Sequence, residues 1–319
     1  MTGMDLLSVK RTIQKGRSNM KSVLITGPTG AVGQALIRKC LEEQVEVTAV
    51  CRPDSPRAGS LPESALLELV SCDLGNLAAL PRILEGRSFD VFFHLAWAGT
   101  FGDSRQELKS QWQNIGWTLD AADAAHALGC RRFIGAGSQA EYGRNGGPLK
   151  AETPAFPENG YGAAKLCAGQ MSRLRCEQLG MDHIWTRILS VYGPYDGKDT
   201  LIMYVIRTLL KGEIPALSAG EQIWDFLYSG DAGEALFLLG EKGRAGKTYP
   251  LGSGEGRPLK EYILELRDQI DPQAELDFGK IPYGPKQVMH LCADLSELTE
   301  DTGFSCRVPF REGIARTIE

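Results

Sequence analysis

The chain has 319 residues, 43% of them hydrophobic, and a formal net charge of −5. This length is enough for one large core or two small ones. The acidic balance, without a long basic run, disfavours nucleic acid as a partner, and no stretch approaches the ~20 consecutive apolar residues of a membrane span. No secretory signal is visible, and the eight cysteines lack metal-ligand spacing. We therefore expect a cytoplasmic protein with reduced thiols and no metal site.

The first informative feature is a glycine-rich turn. An apolar run predicts a buried strand at 23–26, and apolar spacing predicts a helix at 31–43. Gly27, Gly30 and Gly33 fall at the turn between them, where glycine lets a diphosphate approach the backbone and the helix N-terminus. The spacing is G-x-x-G-x-x-G, looser than G-x-G-x-x-G. The turn predicts a dinucleotide site whose other contacts are Thr29, Ala31 and Val32.

The end of the second predicted strand, 45–51, bears on the choice of cofactor. NAD enzymes of this type place an acid there for the ribose hydroxyls, whereas NADP enzymes place a cation for the 2′-phosphate. Here Cys51 stands in the place of the acid and Arg52 follows. A guanidinium suits a phosphate, although Asp54 could reach a ribose through a turn of the loop. We predict NADP, with NAD as the alternative.

Four further apolar runs, at 67–71, 91–95, 132–136 and 183–189, predict more parallel strands with helices between them. An α/β doubly wound parallel sheet follows. Three motifs lie along this part of the chain: H-L-A-W ends at Trp97, Asn114 lies in a predicted helix, and G-S-Q-A-E-Y-G begins at Gly137.

Tyr161 and Lys165 are four residues apart in a segment with helical character, 163–178. That spacing places both side chains on one helix face. A phenol with a pKa near ~10 is a poor proton donor or acceptor at neutral pH unless a nearby cation favours its phenolate. The pair therefore predicts a proton-transfer site.

In their order along the chain, these motifs resemble the extended short-chain dehydrogenase/reductase family, in its branch of nucleotide-sugar epimerases, dehydratases and 4-ketoreductases. The resemblance runs from about Met20 to the C-terminus and includes D-L at Asp73 and V-Y-G-P from Val191. It implies a Rossmann sheet with a smaller α/β C-terminal substrate domain.

The resemblance also implies roles for individual residues. Ser138 would hydrogen-bond the substrate oxygen, Tyr161 would transfer the proton, and Lys165 would bind the nicotinamide ribose and lower the pKa of Tyr161. Asn114 would support the site. Cofactor contacts are further expected from Asp73, Leu74, Leu95 and Ala96.

The residues that follow Ser138 limit which reaction the site can catalyse. The 4,6-dehydratases of this family carry an Asp-Glu pair there, and this chain has Gln139 and Ala140, neither of which exchanges a proton near neutral pH. Dehydration is therefore disfavoured. We expect an NADPH-dependent reduction of the C4 keto group of a nucleotide-activated 6-deoxyhexose. The alternatives are an NAD-dependent 4-epimerase and a non-catalytic nucleotide sensor of the same fold.

The substrate side departs from the family. Relatives carry an arginine for the diphosphate where this chain has Trp224, and a tryptophan cannot replace its charge. Lys198 and Arg207 are the candidate replacements. Trp97 and Gln139 complete the predicted nucleotide-sugar contacts.

The predicted domain division begins with a basic extension at 1–19. The dinucleotide domain covers 20–190 and about 222–252, and a substrate lid covers about 191–221 and 253–319. We also expect a homodimer.

Overall fold

The structure is a computed structural model that describes residues 18–319, so nearly all of the predicted N-terminal extension (1–19) lies outside the described residues. Its strands are β1 (Ser22–Thr26), β2 (Glu46–Cys51), β3 (Leu67–Ser71), β4 (Val91–His94), β5 (Arg132–Ser138), β6 (Asp182–Ile188), β7 (Ser190–Tyr192), β8 (Ala216–Leu217), β9 (Ile223–Trp224), β10 (Phe226–Tyr228), β11 (Thr248–Leu251), β12 (Arg257–Pro258) and β13 (Asp277–Phe278). Its helices are α1 (Ala31–Glu42), α2 (Leu80–Ile83), α3 (Leu108–Ala127), α4 (Gly160–Leu179), α5 (Leu201–Leu210), α6 (Ser229–Lys242), α7 (Leu259–Ile270), α8 (Ser296–Thr302) and α9 (Phe310–Ile318).

Seven parallel strands form the central sheet, in the order β11-β6-β5-β4-β1-β2-β3. The predicted parallel α/β sheet is therefore confirmed, and the six predicted strands lie within two residues of their expected bounds. The seventh strand, β11, was not predicted. It contains Pro250, which argues against a central strand, but at the sheet edge a proline is tolerated because its missing N–H is not needed there.

Helices cover both faces of this sheet because its strands are buried on both sides. Alternate residues of β1 point to opposite faces, so that Val23 and Ile25 join one hydrophobic cluster with α1 and α6, and Leu24 joins the other with α3 and α4. Because the strands are parallel, their carboxyl ends lie along the same edge of the sheet, where ligands bind in open parallel sheets.

A third hydrophobic cluster lies in the second half of the chain. It joins α5, α7 and α9 through side chains such as Val205, Ile263 and Phe310, and it includes Phe226 of β10. These elements belong mostly to the segments predicted as the substrate lid, and the domain division itself stays a prediction. Among residues 18–319, no helix is long and apolar enough to span a membrane, and no group of His, Cys, Asp or Glu could hold a metal ion.

Candidate active site

A cavity of about 1010 Å³ opens at the carboxyl ends of the sheet strands. One wall is made by the residues that follow β1, β2, β4 and β5, and the other by α5 and the segment around β9 and β10. Its size is ample for an elongated ligand, and the predicted cofactor and substrate residues can be placed against it one by one.

The glycine turn after β1 forms the floor of the cavity. Gly27 has a φ of +70°, and a Cβ there would lie 2.8 Å from the backbone nitrogen of Ala96. A Cβ on Gly33 would overlap the carbonyl oxygen of Gly27, so Gly33 lets α1 pack closely on the strand. Gly30 faces open space and begins α1 without a side-chain cap. This turn fits a diphosphate, because free N–H groups at a helix N-terminus face an unobstructed space.

The remaining cofactor residues predicted from the sequence also line this part of the cavity. They are Thr29, Ala31, Val32, Arg52, Asp73, Leu74, Leu95 and Ala96. Ser55 and Arg57 join Arg52 at the end of β2, whereas Asp54 is not on the cavity wall. The carboxylate of Asp73 accepts a hydrogen bond from the backbone N–H of Gly75. Two arginines, Arg52 and Arg57, thus line the cavity beyond the end of β2.

The predicted reacting groups meet where β5 and α4 approach each other. Ser138 ends β5, and α4 begins at once after Asn159, whose side chain accepts a hydrogen bond from the backbone N–H of Gly162 at 2.8 Å. A Cβ on Gly162 would overlap the carbonyl oxygen of Ala140, so glycine lets the first turn of α4 touch the loop after Ser138. The phenol of Tyr161 consequently lies close enough to the hydroxyl of Ser138 for the two groups to interact.

The electrostatics of Tyr161 differ from what the family resemblance implies. Burial raises the pKa of its phenol, and the Ser138 hydrogen bond and the charge of Arg105 act against that rise. The guanidinium of Arg105 lies 4.5 Å from the centroid of the Tyr161 ring, whereas the ammonium of Lys165 lies 5.8 Å from it. The expected lowering of this pKa by Lys165 is therefore not seen.

Lys165 is itself buried and turned toward the sheet. Its ammonium donates a hydrogen bond to the carbonyl oxygen of Ala136 and lies 3.8 Å from the centroid of the Trp97 ring, a cation–π distance. Burial lowers the pKa of Lys165 to about 7. The Lys165 side chain can thus gain or lose its proton near neutral pH.

Two side chains of α3 support the loop after β4. Asn114 donates to the carbonyl oxygen of Ala98 and accepts from its N–H at 2.8 Å, so it braces the site without lining the cavity. Gln111, which sequence reasoning missed, accepts a hydrogen bond from the indole N–H of Trp97 at 2.9 Å. Its position one turn before Asn114 on the same helix face was the available signal.

The predicted substrate residues divide into two groups. Trp97, Gln139 and Trp224 line the cavity, and the Trp224 indole donates to the hydroxyl of Ser190 at 2.8 Å. Lys198 and Arg207 are exposed and are not on the cavity wall, and the Arg207 guanidinium donates to the Lys198 carbonyl instead. The structure therefore does not bring these two cations to the cavity. It places Arg105 and Gln287 there, which no sequence motif had marked, and also Gln222, two residues before Trp224.

A parallel sheet with a glycine turn, a serine, a tyrosine and a lysine at one cavity defines the class of dinucleotide-dependent oxidoreductases. Residues 23–252 match the NAD dependent epimerase/dehydratase family. The chain belongs to this family, a branch of the extended short-chain dehydrogenases/reductases.

The relatives match this chain over most of its length. A dTDP-glucose 4,6-dehydratase of Xanthomonas campestris pv. campestris is 27% identical over 94% of this chain and 93% of its own. A putative UDP-arabinose 4-epimerase of Arabidopsis thaliana is 24% identical over 89% and 72%. The structure of a UDP-N-acetylglucosamine 4-epimerase from Methanobrevibacter ruminantium, in complex with UDP-N-acetylmuramic acid, has a TM-score of 0.85 and 25% identity, and the match covers 93% of this chain and 97% of that one. The relatives thus include both dehydratases and epimerases.

Proposed function

We propose that the protein is an NADPH-dependent reductase of the C4 keto group of a nucleotide-activated 6-deoxyhexose. The observation that carries the choice of cofactor is the adenosine end of the cavity, where Arg52, Ser55 and Arg57 line the wall and Asp54 does not. Two guanidinium groups favour a 2′-phosphate over a bare ribose. NADPH is the cofactor expected for a net reduction, and the proposal links the two.

The reacting side chains suit proton transfer to a carbonyl oxygen. A bound nicotinamide would supply the hydride exchange that this family uses. The hydroxyl of Ser138 and the phenol of Tyr161 would both donate to the substrate oxygen and stabilise the negative charge that develops on it. Because burial raises the pKa of Tyr161, its phenol is protonated at neutral pH, as the proton donor of a reduction must be.

Dehydration remains disfavoured in this proposal, although several relatives are dehydratases. Gln139 lines the cavity beside Ser138 and cannot exchange a proton, and Ala140 is buried. The nearest carboxylate along the chain, Glu141, is fully buried and ion-paired with Arg187. Incubation with dTDP-glucose and NAD tests this point, since formation of a 4-keto-6-deoxy product would overturn it.

The second candidate is a 4-epimerase with a retained cofactor. It is favoured by the family and by the 4-epimerase structure from Methanobrevibacter ruminantium. A UDP-glucuronic acid 4-epimerase of Bacillus cereus with the same fold was solved with its nucleotide sugar and NAD, at 21% identity and a TM-score of 0.81. A reductase consumes one NADPH for each 4-keto sugar reduced, whereas an epimerase interconverts two sugars without net consumption. Following NADPH absorbance beside product analysis distinguishes the two, and NAD that stays bound through purification would favour the epimerase.

We further propose a homodimer formed through α3 and α4. Leu108 and Trp112 of α3 and Met171 and Leu174 of α4 are exposed apolar side chains, which are uncommon together on a monomer surface. Light scattering after size-exclusion chromatography gives the mass. A dimer that dissociates in Trp112→Glu would support this surface, and a wild-type monomer would contradict it.

A further inference from the structure

A tryptophan on β6 lies directly behind the reacting groups. Three glycines make room for the Trp185 ring: a Cβ on Gly135 or Gly137 would overlap the indole, and one on Gly169 would lie 2.7 Å from it. Gly169 follows Lys165 by one helical turn, so the indole packs against the part of α4 that carries the reacting lysine. The absence of a Cβ at these three glycines thus leaves the space that the Trp185 side chain fills.

Glu141 joins the Trp185 indole to the serine. Its Oε1 accepts from the backbone N–H of Ser138 at 2.8 Å and from the indole N–H of Trp185 at 3.0 Å. Its Oε2 accepts from the Arg187 guanidinium at 2.8 Å. All three partners are donors, so the side chain is a carboxylate. Burial raises the pKa of Glu141, and the charge of Arg187 and the three donors oppose that rise.

The Glu141 carboxylate lies beside the part of β5 that holds the Lys165 ammonium. A Cβ on Gly137 would overlap Glu141 Oε1, and the Lys165 ammonium donates to the carbonyl oxygen of the preceding residue, Ala136. The negative charge of this carboxylate raises the pKa of Lys165 and of Tyr161, against the burial that lowers the first and alongside the burial that raises the second. The other charged groups near the site are Arg105 over the Tyr161 ring and Arg187 behind Glu141. His94, on β4, is neutral because burial lowers its pKa to about 3.

We propose that Glu141 is a positioning residue that fixes Ser138 and α4 through one buried network and favours the ammonium form of Lys165. The catalytic part of this inference rests on the proposed oxidoreductase function. The electrostatic part does not, because it concerns only side chains of the free protein.

If the ion pair of Glu141 with Arg187 had only a structural role, its loss would affect stability and not the titration of Lys165. Removing one partner of a buried pair destabilises the fold, whatever its position. It would not change the titration of a side chain elsewhere. The titration of Lys165 therefore separates the two roles.

The test follows lysine side chains labelled with ¹³C at Cε by NMR, across a pH series and without any ligand. The Lys165 signal is assigned by its loss in Lys165→Met. In Glu141→Gln the titration midpoint of Lys165 should fall by about one pH unit, because the opposite charge is lost. An unchanged midpoint would overturn the proposal.

The matched control is Asp182→Asn, which breaks the ion pair with buried Arg132 at the other end of the same two strands. We expect it to leave the midpoint unchanged, and an equal fall in this variant would refute a specific effect of Glu141. If Glu141→Gln does not fold, the double variant Glu141→Gln with Arg187→Met carries the test, because it leaves no unpaired charge. A midpoint that falls in the double variant supports the proposal, and one that stays refutes it.

Discussion

The two walls of the cavity are built in different ways. On the wall formed by β5 and α4, the proposed reacting side chains are held by buried hydrogen bonds: the backbone N–H of Ser138 donates to Glu141, and the Lys165 ammonium donates to the Ala136 carbonyl. On the opposite wall, Gln222, Trp224 and Leu259 present amide, indole and aliphatic surface. Proton transfer needs groups fixed in position, whereas recognition of a sugar nucleotide can be spread over many contacts.

The cationic side chains also differ between the two walls. Among the described residues, the cations that line the cavity are Arg52, Arg57, Arg105 and Lys165, and none of them comes from the segments at 200–202 or 222–226. The chain is acidic as a whole, so this concentration of positive charge on one wall would favour anionic ligands locally. Substitutions on each wall test whether the two walls have different roles.

The largest effect is expected at the wall that carries the chemistry. Tyr161→Phe removes the phenolic proton and keeps the ring beneath Arg105. We expect kcat to fall at least ~100-fold with little change in NADPH affinity, since positioned proton transfer contributes about that much. Steady-state kinetics and fluorescence titration of NADPH check this. Turnover close to that of the wild type would mean that another group donates the proton.

The second prediction concerns the stability of that wall. The pKa of Lys165 is lowered from 10.5 to about 7, so between those pH values the unfolded chain binds more protons than the folded one. The free energy of unfolding therefore rises with pH through this window. Relative to Lys165→Met, the wild type should gain about 2 kcal/mol between pH 7 and pH 9.

Urea denaturation of both proteins without ligand measures this difference, and the comparison cancels other groups that titrate in the same range. Lys242→Met, which removes a lysine from an exposed position of α6, serves as the control. A constant difference for Lys165→Met would show that its ammonium is not desolvated.

The third prediction tests the adenosine end of the same wall. Arg52→Ala should weaken NADPH by about one to three kcal/mol and NADH by less, because only NADPH offers a phosphate to the guanidinium. Dissociation constants for both nucleotides decide it. Equal losses would remove the argument for NADP and favour the epimerase with bound NAD.

The sequence predicted the sheet well, and it placed Tyr161 and Lys165 near each other, because both predictions depend on local patterns. Apolar runs marked the strands, and the four-residue spacing of Tyr161 and Lys165 placed them on one helix face. The contacts that set their charges could not be predicted in that way. Arg105 lies over the Tyr161 ring, and Trp185 bonds to Glu141 and packs against glycines of β5 and α4, contacts that only the folded chain brings about. The difference between the expected and the observed direction of the Tyr161 pKa shift has this origin, as has the position of Lys198 and Arg207 outside the cavity wall.

The smallest effects are expected from substitutions of two arginines that lie in different places relative to the cavity. Arg105 lies on the cavity wall over the Tyr161 ring, and Arg207 is exposed outside that wall. Replacing each by Met keeps most of the side-chain stem and removes the charge. We expect Arg105→Met to lower kcat/KM about tenfold, or 1.4 kcal/mol, and Arg207→Met to change it by less than about twofold. If kcat falls, Arg105 acts through Tyr161; if KM rises, it holds an anionic part of the substrate. A tenfold rise of KM in Arg207→Met instead would mean that this helix moves its guanidinium to the substrate on binding, and the two walls would then share the recognition of charge.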